Sequence, residues 1–159
     1  MAEKNEQEEK LKFKDFFRFT KNGKMKSGTV VYSFSLAVLF VIIYGAAYYF
    51  LIDVLAPLTE GLPVWASDII GAVVPALVGG IICLIPVYFL SERRYAVLAY
   101  IWIAVFAVML LIAMVVMLKN EPDALSIFIR LFVIMIPAPL LIGCGSAWYL
   151  YKKQQQKQI

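Results

Sequence analysis

The sequence predicts an all-α integral membrane protein: a bundle of four transmembrane helices preceded by a short cytoplasmic amphipathic helix, with signs of two tandem helical hairpins. Three observations carry that prediction. Of the 159 residues, 62% are hydrophobic and 16% are charged, with a mean hydropathy of +0.80, which leaves too little polar side chain to cover a soluble fold. The charges gather in the first 28 residues, a few short connections and the carboxyl-terminal tail. Between them lie four apolar runs, each long enough at about 1.5 Å rise per residue to cross a hydrocarbon core of about 30 Å.

Residues 1–28 form a basic cytoplasmic segment. Glu3 to Phe19 reads as a helix, since Glu6 and Lys10 are spaced one turn apart and Asn22-Gly23 supplies a stop. Its apolar side, which includes Phe16 and Phe17, is too short and too aromatic to build a core. Laid along the headgroups it would bury those rings while Arg18, Lys21, Lys24 and Lys26 face anionic lipid. The segment is expected to anchor topology, with docking of a cytoplasmic partner or a specific lipid as the alternative. Nucleic acid is not an expected partner, because the membrane surface accounts for the basic residues and five acids dilute them.

The transmembrane domain is assigned to 29–150, with spans at about 29–52, 69–90, 95–118 and 125–150, and 151–159 is a cytoplasmic tail. Span one is about twice too long for the apolar core of a signal peptide and no clean cleavage site follows it, so it is expected to remain in the mature protein. Strands of a β-barrel would alternate over about ten residues instead of running solidly apolar. The loop from Asp53 to Asp68, which holds Pro57, Pro63 and Trp65, is expected to lie flat on the outer interface with the indole at headgroup level.

Orientation follows from Lys and Arg in the short flanks. The amino-terminal segment carries eight, the turn between spans two and three carries Arg93 and Arg94, and the tail carries Lys152, Lys153 and Lys157. The opposite side has Lys119, and Arg130 just inside its span, against five acidic residues. A multi-pass protein of the cell membrane with both termini cytoplasmic is therefore expected.

Spans two and four depart from ordinary apolar helix. Span two contains Pro75, Gly79, Gly80 and Pro86, and span four contains Pro137, Pro139, Gly143 and Gly145, whereas spans one and three have no proline. Each proline removes a helical hydrogen bond, so both helices are expected to kink or open near mid-membrane. Pro75 and Gly79 recur as Pro139 and Gly143 at an offset of 64, and Tyr32 recurs as Tyr95 at 63. That points to a parallel repeat of two hairpins related by an axis along the membrane normal. Broken helices in corresponding positions also mark transporter binding sites. Close helix packing is the favoured explanation of the glycines.

Arg130 is the one charge inside a span, and its expected partner is Asp68, Asp53 or an anionic headgroup, with snorkelling to the interface as the alternative. Cys83 and Cys144 read as small buried apolar residues. With no histidine in the chain, no Ser/His/Asp set, no phosphate-cradling loop and no CxxC, neither catalysis nor a metal or other cofactor is expected. The absence of acids from the middle of each span counts against proton-coupled transport. The favoured function is a non-catalytic accessory or interaction subunit that packs against other membrane proteins or itself. The alternative is a small oligomeric transporter or channel for an ion, lipid or small molecule, using spans two and four.

Overall fold

A computed structural model describes residues 28–90 and 92–156. Its elements are all helical: α1 (Thr29–Leu58), α2 (Val64–Phe89), α3 (Arg94–Met117), α4 (Pro122–Met135) and α5 (Pro137–Gln156). The last two form one 35-residue stretch, so four helices are long and apolar enough to cross a membrane. Helix is the form such sequences take in hydrocarbon, because every backbone donor and acceptor must be satisfied within the segment. The expected cytoplasmic helix, with Phe16, Phe17, Arg18, Lys21, Lys24 and Lys26, lies outside the described residues.

Gly28 opens α1 with φ of 102°, a left-handed conformation that glycine adopts without steric cost, and its carbonyl accepts the first helical bond from Tyr32 at 2.8 Å. The helix continues past Ile52 and takes Pro57 into its last turn. Thr59 then closes it: its backbone N–H and its hydroxyl both donate to the carbonyls of Leu55 and Ala56, at 3.0 to 3.3 Å. Gly61, with φ of 85°, turns the chain. The flat interfacial loop expected from Asp53 to Asp68 is therefore corrected. Asp53 belongs to α1, Trp65 and Asp68 belong to α2, and the connection is residues 59–63. Extending both helices satisfies backbone groups that a flat loop would leave to the interface.

The prolines act differently in the two helices that carry them. Of the kink or opening expected at the prolines, α2 does not show the opening: it passes through Pro75 and Pro86 without interruption. Each of these prolines removes a single donor, and the Pro75 ring is fully buried, so surrounding packing holds the backbone in place. In the fourth span Pro137 and Pro139 remove two donors within three residues, and each also biases its predecessor away from helical conformation. The helix divides there at Ile136, whose φ of −79° and ψ of −40° remain helical and which keeps its own helical bonds, to the Phe132 carbonyl at 3.1 Å and from the Leu140 N–H at 3.4 Å. The bonds missing at the joint are the two that the prolines cannot donate, to the Val133 and Met135 carbonyls, and the segment is not unwound.

The helices pack as a square. α1 lies against α2 and α3, α5 lies against the same two, and α1 and α5 stand diagonally. Like helices of the two hairpins are thus neighbours, as the Tyr32 and Tyr95 rings, 6.2 Å apart, also show. A two-fold axis along the membrane normal through the bundle would instead place equivalent helices on the diagonal, so the hairpins stand side by side and are not related by the axis expected from the sequence. Their sequence correspondence extends into the burial pattern. Ser33, Ala37 and Tyr44 of α1 match Ala96, Tyr100 and Ala107 of α3 at an offset of 63, all buried. Pro75, Gly79, Cys83 and Val87 of α2 match Pro139, Gly143, Ala147 and Tyr151 of α5 at 64, again all buried.

The two ends of the square differ in tightness. At the end where the described chain begins and finishes, the Arg93 backbone N–H donates to Gln154 Oε1 at 3.0 Å and its Nη1 to the Leu150 carbonyl at 3.3 Å. Its guanidinium also lies over the Tyr88 ring, 5.4 Å from the centroid, so one side chain ties the α2–α3 turn to α2 and α5. At the opposite, loop end, α4 contributes no buried residue. The bundle is closed at one end and loosely packed at the other.

Candidate functional site

The centre of the bundle is built on two glycine and tyrosine pairs. Tyr44 of α1 lies on Gly79 of α2, where an added Cβ would stand 2.6 Å from its ring, and Tyr100 of α3 lies on Gly143 of α5, where a Cβ would overlap the ring. A glycine is required at both positions because each ring rests on the helix backbone itself. The hydroxyls of Tyr44 and Tyr100 meet at 3.0 Å in the buried interior, and Phe40 stacks on Tyr100 with centroids 5.0 Å apart. A phenol in an apolar interior must find a partner for its O–H. Here one of the two tyrosine hydroxyls donates to the other.

Cys83 joins the same cluster at 1% exposure, and both cysteines are free thiols. Gly80 sits one residue from the pair, with Ile142 Cγ2 3.2 Å from where its Cβ would lie. Gly145 faces open space and belongs to neither the core nor the joint at Pro137. The residues singled out in the sequence therefore separate: Pro75, Gly79, Gly80, Pro139 and Gly143 line packed contacts, and Gly145 and Arg130 do not.

A second feature lies toward the loop end, where α1, α2 and α4 part around a cleft of 230 Å³. Its walls are mostly apolar, with Ile52 and Leu55 from α1, Gly71 and Ala72 from α2, and Leu131 and Ile134 from α4. At its deep end the Tyr48 hydroxyl is 2.9 Å from the Ala72 carbonyl and 3.2 Å from the Met135 carbonyl. Met135 is the residue whose helical acceptor loses its donor to Pro139, and Ala72 lies in the turn before Pro75. Tyr48 of α1 thus brings its one hydroxyl proton within reach of the Met135 carbonyl, which Pro139 leaves without a helical donor, and of the Ala72 carbonyl of α2, so that a side chain partly replaces a donor lost to proline in apolar surroundings.

At the mouth of the cleft Arg130 of α4 reaches Asp68 of α2. Nε donates to Oδ2 at 3.1 Å and Nη2 to the same oxygen. Asp68 was among the partners expected for Arg130, and the pairing joins the loosely held α4 to α2. The arginine side chain is 53% exposed and the aspartate 23%, so the pair is partly solvated and contributes modestly to stability.

Sequence reasoning passed over Tyr44, Tyr48 and Tyr100. The signal was present as tyrosines deep in apolar spans, each with a hydroxyl needing an interhelical partner, but uniform apolarity around each helix hides which face is buried. No protein-family model, curated protein or solved structure matches the chain.

Proposed function

We propose that this chain is a small, non-catalytic, multi-pass protein of the cell membrane, with both termini cytoplasmic, that serves as an accessory or interaction subunit of a membrane assembly. The observation that carries the reading is the filled centre of the bundle. Tyrosine rings occupy the space beside Gly79 and Gly143, and their hydroxyls are joined across the interior, which leaves little room for a solute path along the axis. The surface supports it as well. The most apolar stretches of the third and fourth spans bury 6% and 0% of their residues within the chain, leaving broad faces for lipid and for other membrane proteins. The basic and aromatic segment at 3–28 offers a cytoplasmic docking element beside the headgroups.

A small transporter or channel is the second reading, and the cleft between α1, α2 and α4 favours it. The cleft stops at Tyr48, short of the Tyr44–Tyr100 pair, so transport would require the core to open or several copies to form the path between them. Reconstitution into vesicles separates the two. The purified protein is expected to give potassium, chloride and small-fluorophore flux equal to that of protein-free vesicles. Flux in the unmodified chain that disappears in Pro75→Ala and Pro139→Ala variants would replace the interaction reading with transport.

A further inference from the structure

The ion pair at the mouth of the cleft is unevenly used. Both Arg130 bonds fall on one carboxylate oxygen, Asp68 Oδ2, so Oδ1 and the guanidinium Nη1 have no hydrogen-bond partner among the described residues. The aspartate serves two surfaces. Asp68 lines the cleft between α1, α2 and α4, and together with Arg130 it also lines a shallow groove on the outer flank beside Val64, Trp65 and Ile69. An acceptor therefore stands over an apolar cleft, a donor stands beside it, and the surrounding side chains are apolar apart from Tyr48, Thr59 and Ser67.

We propose that this cleft is a binding site for one zwitterionic phospholipid with a primary ammonium headgroup, of the phosphatidylethanolamine type. The ammonium donates to Asp68 Oδ1, the phosphate accepts from Arg130 Nη1, and part of one acyl chain enters the cleft between Ile52, Leu55, Leu131 and Ile134. Charge complementarity selects this occupant. An anionic lipid without the ammonium leaves Oδ1 unused and brings its charge close to a carboxylate, whereas a zwitterion matches both charges without breaking the existing pair. Trp65, 67% exposed on the flank, is of the type that settles at headgroup depth. The chain supplies little of its own packing here, because α4 buries no residue, and an acyl chain fills that gap.

The proposal rests on membrane insertion, and the test separates the two. The full chain is reconstituted in vesicles of phosphatidylethanolamine and phosphatidylglycerol, floated on a density gradient, extracted in mild detergent and weighed intact by native mass spectrometry. One phosphatidylethanolamine per chain is expected, retained about tenfold over phosphatidylglycerol, the factor one charge-assisted contact supplies. Asp68→Asn should erase that preference. Gly71→Leu provides a second variant that leaves both charges in place: Gly71 lines the cleft, a Cβ there meets nothing within 4 Å, and the larger side chain occupies the space for the acyl chain. It should lose the bound lipid and keep the helical signal of the parent. Equal retention of the two lipids, or retention unchanged in Gly71→Leu, overturns the site while flotation leaves the membrane reading standing. A chain that fails to float overturns both.

Discussion

Replacing Gly143 by alanine should destabilise the bundle by about 1–3 kcal/mol, the usual cost of forcing an extra carbon into a filled interior. The added Cβ would overlap the Tyr100 ring, and that ring has little freedom to retreat, since it is 3% exposed, stacked on Phe40 and bonded to Tyr44. α3 and α5 would have to separate. Gly145→Ala, two residues along the same helix, is the matched control: nothing lies within 4 Å of its Cβ, so a neutral effect or a gain approaching about 1 kcal/mol from helix propensity is expected. Unfolding titrations in mixed micelles measure both. Equal effects of the two substitutions would show that the tyrosine contact does not hold these helices together.

The Tyr44–Tyr100 bond should behave as a coupled unit. Tyr44→Phe or Tyr100→Phe alone leaves one buried hydroxyl without its partner, at a cost of about 1–3 kcal/mol. The double variant removes both polar groups while keeping the rings, so its cost should fall well below the sum of the two. A coupling energy of about 0.5–2 kcal/mol from the four-variant cycle is the expected result, in line with interhelical hydrogen bonds elsewhere in membranes. Strict additivity would mean that the hydroxyls do not interact.

Much of the architecture was legible in the sequence because it depends on quantities that a linear reading captures. Apolar runs, broken by charge only at Arg130, mark the four spans, and the recurrence of Pro75 and Gly79 as Pro139 and Gly143 anticipates the matched buried faces of α2 and α5. The favoured explanation of the glycines as packing residues agrees with the rings found on Gly79 and Gly143, and fails at Gly145, which has nothing within 4 Å of its Cβ position. The partner of Arg130 was also within reach, because Asp68 is one of the five acids on the side of the bundle where Arg130 lies.

What the sequence did not convey depends on contacts between helices. A proline has the same local chemistry in α2 and at the α4–α5 joint, yet the buried Pro75 sits in continuous helix and the closely spaced Pro137 and Pro139 follow the break at Ile136. Hairpins set side by side and hairpins related by an axis along the membrane normal carry the same sequence repeat, so only packing distinguishes them. In the first connection, Thr59 and Gly61 held the information that α1 would run on to Leu58, but the apolar stretch around them resembled an interfacial loop. The Tyr48 bridge could not be anticipated, because it joins three helices whose relative rotation no single span encodes.

The central claim is that a bundle with a filled interior works through what it binds at its surface. The most direct test is to isolate the protein at native expression level in mild detergent and determine the mass and composition of the intact particle. A stoichiometric complex with other membrane proteins, lost on deletion of residues 3–19, is the predicted result. A particle containing only copies of this chain, which moves a solute when reconstituted, would contradict it.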